Sequence, residues 1–164
     1  QPASMRDDAG LEELFEQTRQ IVGMTRRSPS PVFGAQLAFN VLPAPLPAAP
    51  VAAQLRAVLA GAPPPALQIL QGAVFHSVAA SFYARGAEPL SPQAVRKALA
   101  AHPAVELAEK PRHLGPIDAA ASDKVLLGAV RKDEATGGFW LWAVMDNLTR
   151  GGALNAIEIA EAVI

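Results

Sequence analysis

The 164-residue chain is 51% hydrophobic and 18% charged, enough for one domain with a real core and too short for two comfortable ones. Its 14 lysines and arginines almost balance 15 acids, which removes the basic stripe expected of a nucleic-acid binder. No segment approaches the roughly 18 continuous apolar residues that span a bilayer, and cysteine is absent, which excludes disulfides, thiolate metal sites and a cysteine nucleophile within this chain. The three histidines, His76, His102 and His113, lie far apart with no HExxH or HxxxH spacing, so no metal site is expected. The chain opens at Gln1 without an initiator methionine and is expected to be a piece of something longer; no secretory signal is expected unless one has already been removed.

In chain order, "AGLEELFEQTRQIV" (residues 9–22) predicts an amphipathic helix with Leu11, Leu14, Phe15, Thr18, Ile21 and Val22 at helical spacing. Asp7 or Asp8 is the expected N-cap, and Gly23 follows the last turn. A Ser/Pro loop leads to a short apolar segment, "LAFNVLP", stopped by Pro43. An Ala-rich helix, "VAAQLRAVLAG", closes at Gly61, and Pro63-Pro64-Pro65 isolate it from the next segment. Leu67 to Ala84 reads as extended chain, with Gly72 a bulge or a close backbone approach.

"LSPQAVRKALAAH" carries Ser91 as N-cap and Pro92 at the first helical position, with Ala94, Val95, Ala98 and Leu99 on one side. After a polar loop, "DKVLLGAVRK" and "FWLWAVMDN" predict two strands joined at "DEATGG", a hairpin signature. Trp140 and Trp142, two apart, share one strand face. Core packing is the ordinary reading of such a pair, and an aromatic patch at a two-fold subunit interface is the alternative. A last helix aligns Ala153, Ala156, Ile157, Ala160, Val163 and Ile164. Strands and helices do not alternate strictly, which predicts an α+β fold: a mixed, mostly antiparallel sheet with helices packed on one face.

Four separated segments resemble the C-terminal dimerisation half of the aspartate-semialdehyde dehydrogenase family. "QPASMRDDAGLEEL" is similar to its Gln-x-x-Ser segment leading into a Gly-x-x-Glu-Leu helix, and "LAFNVLP" to its Ala-Phe-Asn-x-x-Pro strand. "AEPLSPQAVRKALAAHPAVEL" resembles its strand-to-helix segment, and "DNLTRGGALNAIEIAE" its terminal Asp-Asn-x-x-x-Gly-x-x-x-Asn-x-x-x-x-Ala-Glu signature. They occur in the family's order across almost all of residues 1–164, which the resemblance makes one dimerisation domain of the glyceraldehyde-phosphate-dehydrogenase-like type. The resemblance implies a cytoplasmic homodimer serving amino-acid biosynthesis, in which NADPH reduces an acyl phosphate to a semialdehyde through a cysteine thioester. In the family the nucleotide-binding half and the cysteine precede the segment similar to Gln1 onward. This chain is therefore expected to be cropped near that cysteine, to partner its own nucleotide-binding domain, and to hold no NADP by itself.

The family reads its substrate carboxylate with an arginine, whose planar fork meets the anion bidentately, and sets its acid/base histidine seven residues later. Counting back without gaps from Glu88-Pro89-Leu90-Ser91-Pro92 puts Gln71 at the arginine position and Val78 at the histidine position. Anchoring on His76 instead puts Ile69 at the arginine position and requires a two-residue insertion in a strand. The arginine is lost in both registers. His76, two residues before Val78, would share its face on an extended strand and stand in for the base; the plainer reading is a partly exposed strand histidine. The helix before this strand offers only Gln54 and Arg56 for the family's further substrate contacts. Gln1 matches the active-site glutamine beside the thioester. Asn147 matches the residue that binds the nicotinamide amide, although Asn also favours strand-to-helix turns on its own account. An enzyme half and a non-catalytic paralogue acting as a homodimeric interaction domain are both open at this point.

Overall fold

A computed structural model describes residues 1–26, 29–44, 48–59, 63, 65–86 and 90–163. The chain forms two compact units, Gln1–Phe75 and His76–Ile164. Helix α1 (Asp7–Val22) organises the first unit and follows a 3-10 turn, Ala3–Arg6. Asp7 is its first residue, at φ 55°, and no side chain caps the helix, so the expected Asp cap is corrected. Asp7 and Asp8 still place negative charge at the positive end of the helix dipole. Gly10 is obligatory, because a Cβ there would lie 2.5 Å from the Ala3 carbonyl oxygen and 2.6 Å from Arg6 Cβ.

Leu14 is 1% exposed and packs with Ala3, Leu37 and Ala38, joined by Leu11 and Ile21. Phe15 and Val22, placed on the same stripe by their spacing, are exposed. The residue that replaces them in the interior is polar. Gln17 is buried, and its Oε1 accepts from the Leu37 and Ala38 N–H groups at 2.7 and 3.0 Å. Glu13 accepts from Val32 N at 2.7 Å, so α1 supplies the hydrogen bonds that the irregular loop cannot make with itself.

Strand β1 (Val41–Pro43) then pairs antiparallel with β2 (Leu70–Gly72), in the register Leu42 to Gln71. Helix α2 (Ala48–Val58) lies between them in sequence; its expected end at Gly61 and Pro64 fall outside the described residues. The stretch 67–84 is not one strand, because residues 73–77 bend between β2 and the next strand. Gly72 sits against the Gln1 carbonyl through its N–H (2.9 Å), but 3.9 Å of clearance at its missing Cβ means that a side chain would fit.

The second unit is a five-stranded mixed sheet, built from β3 (Val78–Ala84), β4 (Val105–Leu107), β5 (Val125–Leu127), β6 (Arg131–Lys132) and β7 (Phe139–Met145). The order is β3-β7-β5-β4 with β6 also on β7, and among the described residues only the β4–β5 pair is parallel. Strand β4 went unread in the sequence because "AVEL" is too short to show alternation. The predicted strand "DKVLLGAVRK" is two pieces. Gly128 breaks it, and a Cβ there would stand 3.1 Å from both the Pro111 carbonyl oxygen and Trp142 Cδ1. The β6–β7 hairpin closes as expected, its Asp133 carboxylate accepting from Ala135 N and Thr136 N.

Helix α3 (Pro92–Ala100) begins at Ser91, whose Oγ accepts from Ala94 N at 3.1 Å. Val95 and Leu99 pack with Leu127, Val130, Phe139, Leu141 and Ala143, which fixes the helix on the Phe139 face of the sheet. Removing the cap by Ser91→Ala should cost about 1 kcal/mol in a urea titration. The chain ends in a π-helical turn, Thr149–Leu154, continuing into α4 (Asn155–Val163). The predicted last helix therefore starts earlier and wider than its spacing suggested.

Candidate functional site

The two glutamines come together in the first unit. Gln71 is 2% exposed on β2, and its Nε2 donates to the Gln1 carbonyl oxygen at 3.1 Å. Gln1 pairs along β2 like a further strand residue, its N donating to Leu70 O at 2.5 Å and its O accepting from Gly72 N. Among the described residues, the Oε1 atoms of both side chains are buried without a hydrogen-bond partner. At the position that the family resemblance gives to a cation, this chain therefore buries a neutral amide already bound to backbone. Gln54 and Arg56 lie exposed on α2.

His76 and Asn147 belong to the second unit. Ser77, between His76 and β3, has φ 72°, so strand alternation does not extend back to His76, and the face it was expected to share with Val78 is lost. His76 is exposed and outside the strand. Asn147 follows β7, and its Oδ1 accepts from Ser77 N at 2.8 Å. That bond holds the left-handed residue that turns the chain into β3, which is the turn role available to an asparagine.

Asp146, beside it and first in the terminal Asp-Asn signature, organises the junction. It is 6% exposed; its Oδ2 accepts from Ala121 N at 2.7 Å and its Oδ1 from Leu148 N (2.7 Å) and Thr149 N (3.3 Å). Burial works against its charge. The backbone donors, with His76 nearby, outweigh that and hold its carboxyl below the usual range. The Asp146 carbonyl accepts from Gly151 N at 2.8 Å, and the missing Cβ of Gly152 would approach Asn147 O to 3.0 Å. The two glycines thus serve the wide π turn, where the backbone doubles back on the strand end. Arg150, 7% exposed, forks onto both carboxylate oxygens of Glu158 on α4 and reaches Asp123 O at 3.3 Å, tying the π turn to the last helix. The pair keeps Arg150 charged and depresses the Glu158 carboxyl. A charged residue at that depth was unreadable without knowing that Glu158 lies two helical turns on.

The tryptophans share a face, as spacing requires, and that face is opposite α3. Core packing is corrected for Trp140, which is 43% exposed and donates through Nε1 to Asp133 Oδ2 at 3.0 Å. Trp142 is half-buried, its Nε1 donating to Leu114 O at 2.9 Å. Across β3, Tyr83 opposes Trp140 and Ser81 opposes Trp142, with the Tyr83 and Trp140 rings 5.1 Å apart. Within this unit the segment around Leu114 covers one end of the face, while Ser81, Tyr83 and Trp140 stay exposed.

This arrangement has known counterparts. Residues 63–150 match the family model for the semialdehyde dehydrogenase dimerisation domain. The chain is 38% identical over 91 residues to an aspartate-semialdehyde dehydrogenase of Streptomyces akiyoshiensis, covering 55% of this chain and 26% of that protein. It is 32% identical over 179 residues to a USG-1 protein homolog of Azotobacter vinelandii, covering 99% of this chain and 52% of that one. A solved structure of a probable aspartate-semialdehyde dehydrogenase from Pseudomonas aeruginosa superposes with a TM-score of 0.90 at 28% identity, over 99% of this chain and 52% of that one. Vibrio cholerae aspartate semialdehyde dehydrogenase II, complexed with ASA, gives 0.84 at 26% identity, over 98% and 51%. The chain thus spans about half the length of the relatives that match it end to end. With its mixed sheet, one helix-covered face and closing Asp-Asn junction, the chain belongs to the semialdehyde dehydrogenase family, whose dimerisation domain it carries.

Proposed function

We propose that this chain is the homodimerisation domain of an aspartate-semialdehyde dehydrogenase-like protein, and that two copies pair through the sheet face opposite α3. One observation carries the reading: Ser81, Tyr83 and Trp140 stay exposed together on one face of the sheet within their unit, while α3 packs on the other face. Aromatic residues are what interface cores favour. The partner of α4 is the protein's own nucleotide-binding domain, a role supported by the exposed Ile157, Ile159 and Val163 along that helix. The chain has no cysteine, so Ser81→Cys places a single thiol on this face. A short bis-maleimide is expected to link that variant into a covalent dimer, and failure to form one would reject this pairing.

Gln71 favours a second element of the reading, that the domain serves a non-catalytic paralogue. A buried amide donating to backbone gives no charge to a substrate carboxylate, and His76 lies outside the strand that would aim it. NADP would be held by the preceding half of a longer protein, with Asn147 as this domain's contact to the nicotinamide and Gln1 and His76 as the remnants of the catalytic set. Any longer protein carrying this domain is expected to show no NADPH-dependent reduction of an acyl phosphate. Turnover abolished by Asn147→Ala and unaffected by His76→Ala would instead establish an enzyme that uses Asn147 for its cofactor.

A further inference from the structure

We propose that the hydrogen bond between Asn147 and Ser77 is a latch that holds His76 off the sheet, and that its release lets β3 extend back through Ser77 and His76. Ser77 carries the strain that such a device needs. Its φ of 72° is in the left-handed region, which a residue with a Cβ occupies only when its surroundings impose it. It is also 2% exposed, and its hydroxyl is buried without a hydrogen-bond partner among the described residues. Both features work against the observed conformation. Asn147 opposes them, its Oδ1 accepting from Ser77 N at 2.8 Å.

The sheet register defines the alternative. Strand β3 pairs with β7 from Val78 opposite Met145 onward, so continuing the same register sets Ser77 opposite Asp146 and His76 opposite Asn147. With alternation restored, His76 shares the face of Val78. In the latched conformation it is exposed and outside the strand. The rearrangement is bounded on the other side, because the Phe75 carbonyl accepts from Ser4 N at 3.0 Å. The change is therefore shared by His76 and Ser77, the residues between that anchor and β3. Asn147 acts here as a positioning residue, through the backbone of Ser77 and without touching the imidazole. The latch belongs to this chain's own backbone and stands whether or not a longer protein is an enzyme.

Carbon chemical shifts at residue 77 and the ring signals of His76, read by NMR on the 164-residue chain and its variants, test this. Ser77 Cα is expected to show the downfield secondary shift of a left-handed residue. Asn147→Ala should reverse its sign to that of extended chain and move the His76 ring signals with it. Asn147→Asp keeps an acceptor oxygen and should leave both as they were. Ser77→Gly acts from the other side, because glycine takes positive φ readily and removes the orphaned hydroxyl. It should raise the urea midpoint and leave the His76 signals in place. Should Asn147→Ala fail to fold, Asn147→Asp and Ser77→Gly still decide. A left-handed Ser77 with unmoved His76 signals in Asn147→Ala would overturn the proposal. So would an extended residue 77 in Asn147→Asp, or a lowered midpoint in Ser77→Gly.

Discussion

Ser81→Arg is expected to convert the proposed homodimer into a monomer, raising the dissociation constant by about a hundredfold or more. Ser81 is exposed on β3 and opposes Trp142 across the strand pair, so it lies on the proposed contact face and outside the core. A two-fold interface applies each substitution twice, so each copy would carry an arginine into a face that must be desolvated on pairing. Folding should be unaffected, because the opposite face, where Phe139, Leu141 and Ala143 meet α3, is untouched. Unchanged circular dichroism with a halved hydrodynamic mass is the expected pair of results. A Ser81→Arg protein that remains dimeric would move the interface elsewhere.

Asp146→Ala should cost about 2 kcal/mol in a urea titration, from three partly buried backbone N–H groups left without their acceptor. The same carboxylate sets an acid dependence. Because its folded-state pKa lies below the ordinary carboxylate value of about 4, its contribution is fully present above that value and is lost as the pH falls through the folded one. Stability of the unsubstituted protein should therefore decline from about pH 4 downward more steeply than that of Asp146→Asn, which keeps an acceptor oxygen but has no charge to lose. Parallel acid limbs for the two proteins would show that Asp146 is not ionised against its backbone donors.

Elements with a local chemical signature were legible in the sequence. Ser91-Pro92 announces α3, "DEATGG" closes the β6–β7 hairpin, and the Leu11, Leu14 and Ile21 spacing predicts the inner face of α1. What failed depends on neighbours distant in sequence. Asp7 does not cap α1, because the 3-10 turn before it leaves its backbone at positive φ. Phe15 and Val22 read as core by spacing, while Gln17 is the residue drawn inside by the loop N–H groups it serves. His76 lost its expected face to the single left-handed residue Ser77, which no pattern of apolar residues reveals. At the candidate site, the residue types at Gln71 and Asn147 were readable, but their bonds to Gln1 and Ser77 span 70 positions each. The Trp140 and Trp142 face was correctly paired, and its exposure emerged only once α3 was placed on the other side.

Homodimerisation is the central claim, and the solution mass of the chain by light scattering, across a hundredfold range of concentration, tests it most directly. The account predicts a mass of twice 17.1 kDa that holds at the lowest concentration measured. A mass of one chain at every concentration would contradict it.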